Sequence, residues 1–100
     1  MLVVSGVLRF REDDVPLVRD EVIGILARSR QDAGCVEYWW AADLEDPGAF
    51  RFFECWKSAE AFEAHRNQPF EGAFAEKVLP RLIGVEAHHY DVDGRRPATG

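Results

Sequence analysis

Cysteine is nearly absent from this chain. Cys35 and Cys55 are the only two, and they form no CxxC pair, so neither a zinc ligand set nor a dithiol redox motif can be drawn from them. Reduced thiols in a cytoplasmic protein are the expectation. Long apolar runs are lacking too. Nothing approaches the roughly 20 residues that span a bilayer, and Met1 to Leu8 is apolar but short, with no basic segment before it. It reads as a strand, not a signal peptide. Positive charge is scarce: 12 Lys and Arg stand against 18 Asp and Glu, for a net charge of −6. The arginines are scattered apart from Arg95-Arg96. A nucleic-acid partner and an anionic membrane surface are therefore disfavoured, because both need clustered basic residues. There is no GxGxxG, no Walker loop and no GxSxG. His88 and His89 are neighbours on a strand, so their side chains point apart and cannot chelate one ion together. One buried and one exposed histidine is the expectation there, and no metal site is predicted.

What is present describes one ordinary globular domain. The chain has 100 residues, 47% hydrophobic and 30% charged, with 12% aromatic. That length holds one domain with a thin core, and so aromatic-rich a chain gains by burying rings against a partner. Leu2 to Phe10 is β-branched and reads as a strand. Glu12-Asp13-Asp14 is expected to supply the N-cap and first-turn acids of a helix, with Pro16 in its first turn. Val15, Val18, Val22, Ile25, Leu26 and Ala33 recur at three- and four-residue spacing, the apolar stripe of an amphipathic helix. Gly24 inside it is a weak point or a point of close packing. Gly34 is expected at C′, ending the helix.

Cys35 to Ala42 and Phe50 to Lys57 read as strands joined across the turn Asp43 to Ala49, a hairpin. Ser58 caps a short helix to about Arg66. Asn67-Gln68-Pro69 interrupts it, and a second helical piece runs to about Leu79, where Pro80 stops it. Leu82 to Val92 is the last strand. Asp93 to Gly100 reads as a frayed tail beyond a domain of residues 1–92. The order β-α-β-β-α-β predicts an α+β, ferredoxin-like fold with both helices on one face of a four-stranded antiparallel sheet. A sheet with one wet face should alternate apolar and polar residues. Here Trp39 and Trp40 point to opposite faces, and so do the Phe52 and Phe53 pair. The second face is expected to pack on another copy of the chain, most simply as a twofold dimer. Exposure of a few aromatics is the bland alternative.

Glu54 and Trp56 lie two apart on one strand and so share a face. Facing the helices they would flank a cavity, where a carboxyl must be paired or hold a proton and an indole can stack on a planar ligand. Equally, Glu54 pairs with a nearby arginine and Trp56 is core. His65 sits three residues after Phe62 on the short helix, suited to a general base or to a structural hydrogen bond. Tyr38 and Tyr90 could donate to a ligand oxygen or be core. Cys35 follows a helix C-terminus, whose negative end raises a thiol pKa and makes it a poor nucleophile.

These residues, in this order, resemble the antibiotic biosynthesis monooxygenase (ABM) family, small dimeric α+β-barrel proteins related to quinol monooxygenases. The matching pieces are Gly34-Cys35-Val36-Glu37-Tyr38, Asp46-Pro47, Phe50, Glu54-Cys55-Trp56-Lys57-Ser58, Ala61-Phe62-Glu63-Ala64-His65, Pro69 and Phe74. The resemblance implies a homodimer formed through the sheet face and oxidation of a small aromatic substrate, such as a phenol, anthrone or hydroquinone, by O2 without any cofactor. It implies Trp56, His65 and Tyr38 as catalytic residues, and Glu54, Phe70, Phe74 and Ser5 as substrate-binding ones. Many members carry a second His followed by Phe, five and six residues after the first; here those positions hold Phe70 and Glu71. The haem-degrading branch's helix His has no counterpart at Phe74-Ala75, and its first-strand Asn is absent from Leu2 to Phe10, so haem degradation is not expected. Two other readings stand beside this one. A non-redox isomerase would need an anion cluster for which Arg81 and Lys77 are candidates. A binding dimer without turnover would have its pocket filled by Phe70, Phe74 and tryptophans.

Overall fold

The structure is a computed structural model that describes residues 1–99; Gly100, the end of the expected tail, lies outside them. Four strands, β1 (Leu2–Phe10), β2 (Cys35–Ala42), β3 (Ala49–Trp56) and β4 (Leu82–Asp91), form one antiparallel sheet in the order β2-β3-β1-β4. Helices α1 (Val15–Gln31), α2 (Ala59–Arg66) and α3 (Pro69–Val78) complete the chain's regular elements, with short 3-10 turns at Glu12–Asp14 and Leu79–Arg81. This is the predicted ferredoxin-like plan. The break at Asn67-Gln68 separates α2 from α3 as expected, with Pro69 in the first turn of α3, where its missing N–H costs nothing.

Period-two alternation sorts the strands into two faces. Leu2, Val4 and Phe10 of β1, Phe50, Phe52 and Trp56 of β3, and Tyr38 of β2 point to the helices and pack with Val18, Val22 and Ile25 of α1, Phe62 of α2, and Phe74 and Val78 of α3. The other face carries Val3, Ser5 and Val7 beside Phe53, Cys55 and Trp39, as the register requires. Trp39 stacks on Phe53 with ring centroids 5.5 Å apart, yet stays 38% exposed. On the edge strand β4, Ile83, Val85 and Tyr90 are also exposed.

Three local expectations change, and the alternative left open at Gly24 is decided. Asp14 makes no side-chain cap bond to α1; the acids instead form the 3-10 turn, and Asp14 accepts from Arg81 at 3.0 Å. Gly24 is not a point of close packing, since a Cβ there would meet nothing within 4 Å. Gly34 stands two residues beyond the C-cap Asp32 rather than one. Its φ of 82° is one that favours glycine, and a Cβ there would come within 2.6 Å of the Ala61 Cβ. His88 and His89 are both exposed, because the helices leave β4 uncovered. They do point apart: His89 meets Phe62 and His88 meets Tyr90. Residues 92–99 hold no helix or strand, but Val92 exchanges backbone bonds with Met1, and Arg95 lies 4.0 Å from Glu37 on the opposite edge strand.

Candidate active site

The polar interior is built around His65. Ser58, two residues past β3, caps α2 by accepting from the Ala61 N–H, which sets the rotation of the helix and turns Phe62 and His65 inward. The loop after α1 is tied to the same place by the Lys57 N–H donating to the Gly34 carbonyl at 2.8 Å. That brings Asp32 to His65, whose Nδ1 lies 2.8 Å from Oδ2. A carboxylate can only accept, so Nδ1 carries the proton and Nε2 is left to face inward. Gln68 donates to the other Asp32 oxygen at 3.2 Å.

On its inward side His65 meets two more acids. Nε2 lies 4.0 Å from Glu54 Oε1 and 3.6 Å from Glu71 Oε2. The Trp56 indole N–H donates to Glu54 Oε1 at 3.0 Å, and the Trp56 ring lies over the imidazole with centroids 4.7 Å apart. Tyr38 and Phe70 meet the imidazole edge-on at 5.6 and 5.8 Å. The Tyr38 hydroxyl accepts from the Trp40 indole at 3.3 Å. Phe70 is half-buried, and the Arg28 guanidinium lies 4.6 Å from its ring centre.

Burial governs the proton affinities. It lifts the Glu54 carboxyl to about 7, with the Trp56 hydrogen bond and His65 opposing. Glu71 is pushed up by burial as well, and its Oε2 has no hydrogen-bond partner. Burial first and Glu54 second raise the Tyr38 phenol, so it stays protonated. The same two causes push the Cys35 thiol up to about 11, in line with its exclusion as a nucleophile. The cluster can therefore hold or release a proton near neutral pH at a carboxyl rather than at a phenol or thiol.

Of the sequence-predicted residues, Tyr38, Glu54, Trp56, His65 and Phe70 come together. Phe74 lies farther along the core, 5.9 Å from Trp40. Ser5 is on the opposite face of the sheet, donating to the Phe52 carbonyl at 2.9 Å, because its odd position in β1 pairs it with Phe53 and His88. No arginine pairs with Glu54 among the described residues; the Trp56 indole does. Arg81 and Lys77 are held by Asp14 and Glu21 and build no anion cluster. Asp32, Gln68 and Glu71 were not readable as site residues, since only tertiary packing brings them to His65. The cluster is closed: Trp56 is 0% and His65 2% exposed. No group of acids, histidines and cysteines among the described residues could hold a metal ion, and no helix among them is long and apolar enough to cross a membrane.

The sequence profile described as antibiotic biosynthesis monooxygenase matches residues 1–77. An uncharacterized protein of Synechocystis sp. is 29% identical over 90 residues, 86% of this chain; the match spans 58% of that relative's length. Among solved structures, a Deinococcus radiodurans protein described as a candidate antibiotic biosynthesis monooxygenase superposes with a TM-score of 0.88 at 22% identity, over 100% of both chains. Rv0793 of Mycobacterium tuberculosis superposes with a TM-score of 0.86 at 20% identity, over 96% of this chain and 98% of its own. At these identities the superpositions establish a shared fold.

Proposed function

Because this chain belongs to the antibiotic biosynthesis monooxygenase family, we propose that it is a cofactor-independent monooxygenase oxidising a phenolic, anthrone-type or hydroquinone small molecule with O2. Glu54 carries the reading: a buried carboxyl near pKa 7, fixed by the Trp56 indole and 4.0 Å from His65, is suited to exchange a proton with a weak carbon or oxygen acid. Deprotonation gives a substrate anion that passes an electron to O2. For an anthrone, one oxygen atom becomes the new carbonyl, and the two methylene hydrogens leave with the other as water. Asp32 holds the imidazole in one tautomer so that Nε2 faces the reacting side. Trp56 and Tyr38 orient the ring, and Phe70, the half-buried wall beneath Arg28, is the side chain that moves to admit it. O2 consumption with hydroquinone and with anthrone tests this. Protein-dependent uptake that falls at least tenfold in Glu54→Gln and Trp56→Phe is expected; no uptake above the protein-free rate across the panel overturns it.

The closed packing favours a second reading, a small-molecule-binding dimer without turnover, in which Phe70 and the tryptophans fill the space. In either reading the second copy covers the outer sheet face, where Trp39 and Tyr90 stay exposed. Sedimentation equilibrium should give a dimer, shifted toward monomer by Trp39→Glu; a wild-type monomer at high concentration rules the dimer out. The two free cysteines suit a reducing compartment, and we place the protein in the cytoplasm, which fractionation would check.

A further inference from the structure

A second region of the helix layer is open. Between α1 and the β2–β3 hairpin lies a cavity of about 390 Å³, inside the range of roughly 300–1,000 Å³ usual for small-molecule sites. Its walls are apolar: Val22 and Leu26 of α1 on one side, Trp40 and Phe50 of the sheet on the other. The Trp40 indole N–H is already given to Tyr38, so Trp40 offers its ring rather than a donor. Neither Trp56 nor His65 lines this space.

Three charged residues line it: Arg19, Asp43 and Asp46. Both aspartates are engaged. Asp43 accepts from Arg51 at 2.8 Å and from the Glu45 and Asp46 N–H groups. Asp46 accepts from the Gly48 N–H at 2.9 Å and lies 3.6 Å from Arg9. Arg19 makes no ion pair or side-chain hydrogen bond among the described residues. Of the three charges that line the mouth, both aspartates are thus already engaged, by Arg51, Arg9 and backbone N–H groups, and Arg19 is the charge left to meet a ligand.

We propose that this cavity binds a planar aromatic carboxylate, its ring between α1 and Trp40 and its carboxylate on Arg19. A guanidinium fork matches a carboxylate in a way that a neutral polar group cannot. A cationic ligand would find both acids already satisfied. A dianion such as a phosphate monoester would meet about twice the repulsion from Asp43 and Asp46 that a monoanion on Arg19 meets. An aliphatic acid would forgo aromatic contact with the half-buried Trp40 ring.

Equilibrium titration of the wild-type protein with 1-naphthoate, naphthalene-1-carboxamide and 1-naphthylmethylammonium, followed by calorimetry and by the indole N–H resonances, tests this. The carboxylate is expected to bind at least tenfold tighter than the other two and to shift the Trp40 indole resonance more than that of Trp56. Arg19→Gln should remove about tenfold of the carboxylate's affinity and leave the carboxamide's unchanged. Ala42→Phe, at an exposed alanine lining the cavity, should abolish binding of all three. No binding at millimolar carboxylate, equal affinity for the three probes, or binding untouched by both substitutions overturns the proposal. Turnover is no part of these readouts, so failure of the oxygenase reading leaves the result standing.

Discussion

The two ends of the helix-covered layer are built on opposite terms. Around His65, three carboxyl groups, one indole and one phenol ring and a glutamine are packed together, with the rings fully buried and the acids mostly so. Around Trp40 and Phe50 the walls are apolar, the two rim aspartates are paired while Arg19 is not, and the space is open. Chemistry is dense where access is closed, and access is free where chemistry is sparse. Dense polar packing costs desolvation that only mutual contacts offset, so substitutions there should be expensive, whereas the open end should tolerate change.

The steepest test of that contrast is Trp56→Ala. It removes a fully buried ring and the donor to Glu54, and urea unfolding should show a loss of about 3–5 kcal/mol. A loss below about 1 kcal/mol would mean the cluster is not tightly packed.

Next comes pH. Glu54 has a folded pKa near 7 against 4.5 for the free carboxyl. The folded state therefore binds the extra proton between those values, and stability falls as pH rises from about 4.5 to 7. The contribution of this one group is on the order of 3 kcal/mol. Urea midpoints from pH 4.5 to 8 should fall across that window in the wild type. Glu54→Gln should flatten much of the fall, while Glu71, raised in the same direction, keeps a remainder. Parallel profiles for the two proteins would refute the assignment.

A smaller effect is expected of Gly34→Ala. The left-handed backbone and the contact with Ala61 should cost about 1–2 kcal/mol, read as a drop of several degrees in Tm. At the open end, Ile23→Ala changes a residue 57% exposed and should stay within about 0.5 kcal/mol. A larger loss would show that the cavity wall is part of the core.

Element order, the break at Asn67-Gln68 and the sharing of one face by Glu54 and Trp56 were legible in the sequence, because each depends on local periodicity or on a breaker residue. The partners of those residues were not. Asp32 carried no reading, lying just before the helix end assigned to Gly34, and Glu71 read as the residue after Phe70. Each reaches His65 only because α1, α2 and α3 converge there, and nothing local encodes a contact between residues 33 positions apart. Ser5 was assigned to the site although strand parity puts it on the other face. The open cavity had no signature at all, since it is defined by what the side chains of α1 and the hairpin leave unfilled.

The bond from the Lys57 N–H to Gly34, with Ala61 close against that glycine, has a mechanical consequence. The loop bearing Asp32 and the helix bearing His65 are held to one another by this backbone bond as well as by the Asp32–His65 pair. Opening of the interior by a displacement of α3 with Phe70 and Glu71 would have to break the Gln68 bonds to Asp32 and to the His65 carbonyl. Such a motion would separate Glu71 from the imidazole while leaving the Asp32–His65 pair intact, so that admitting a guest and changing the charge around the imidazole become a single event.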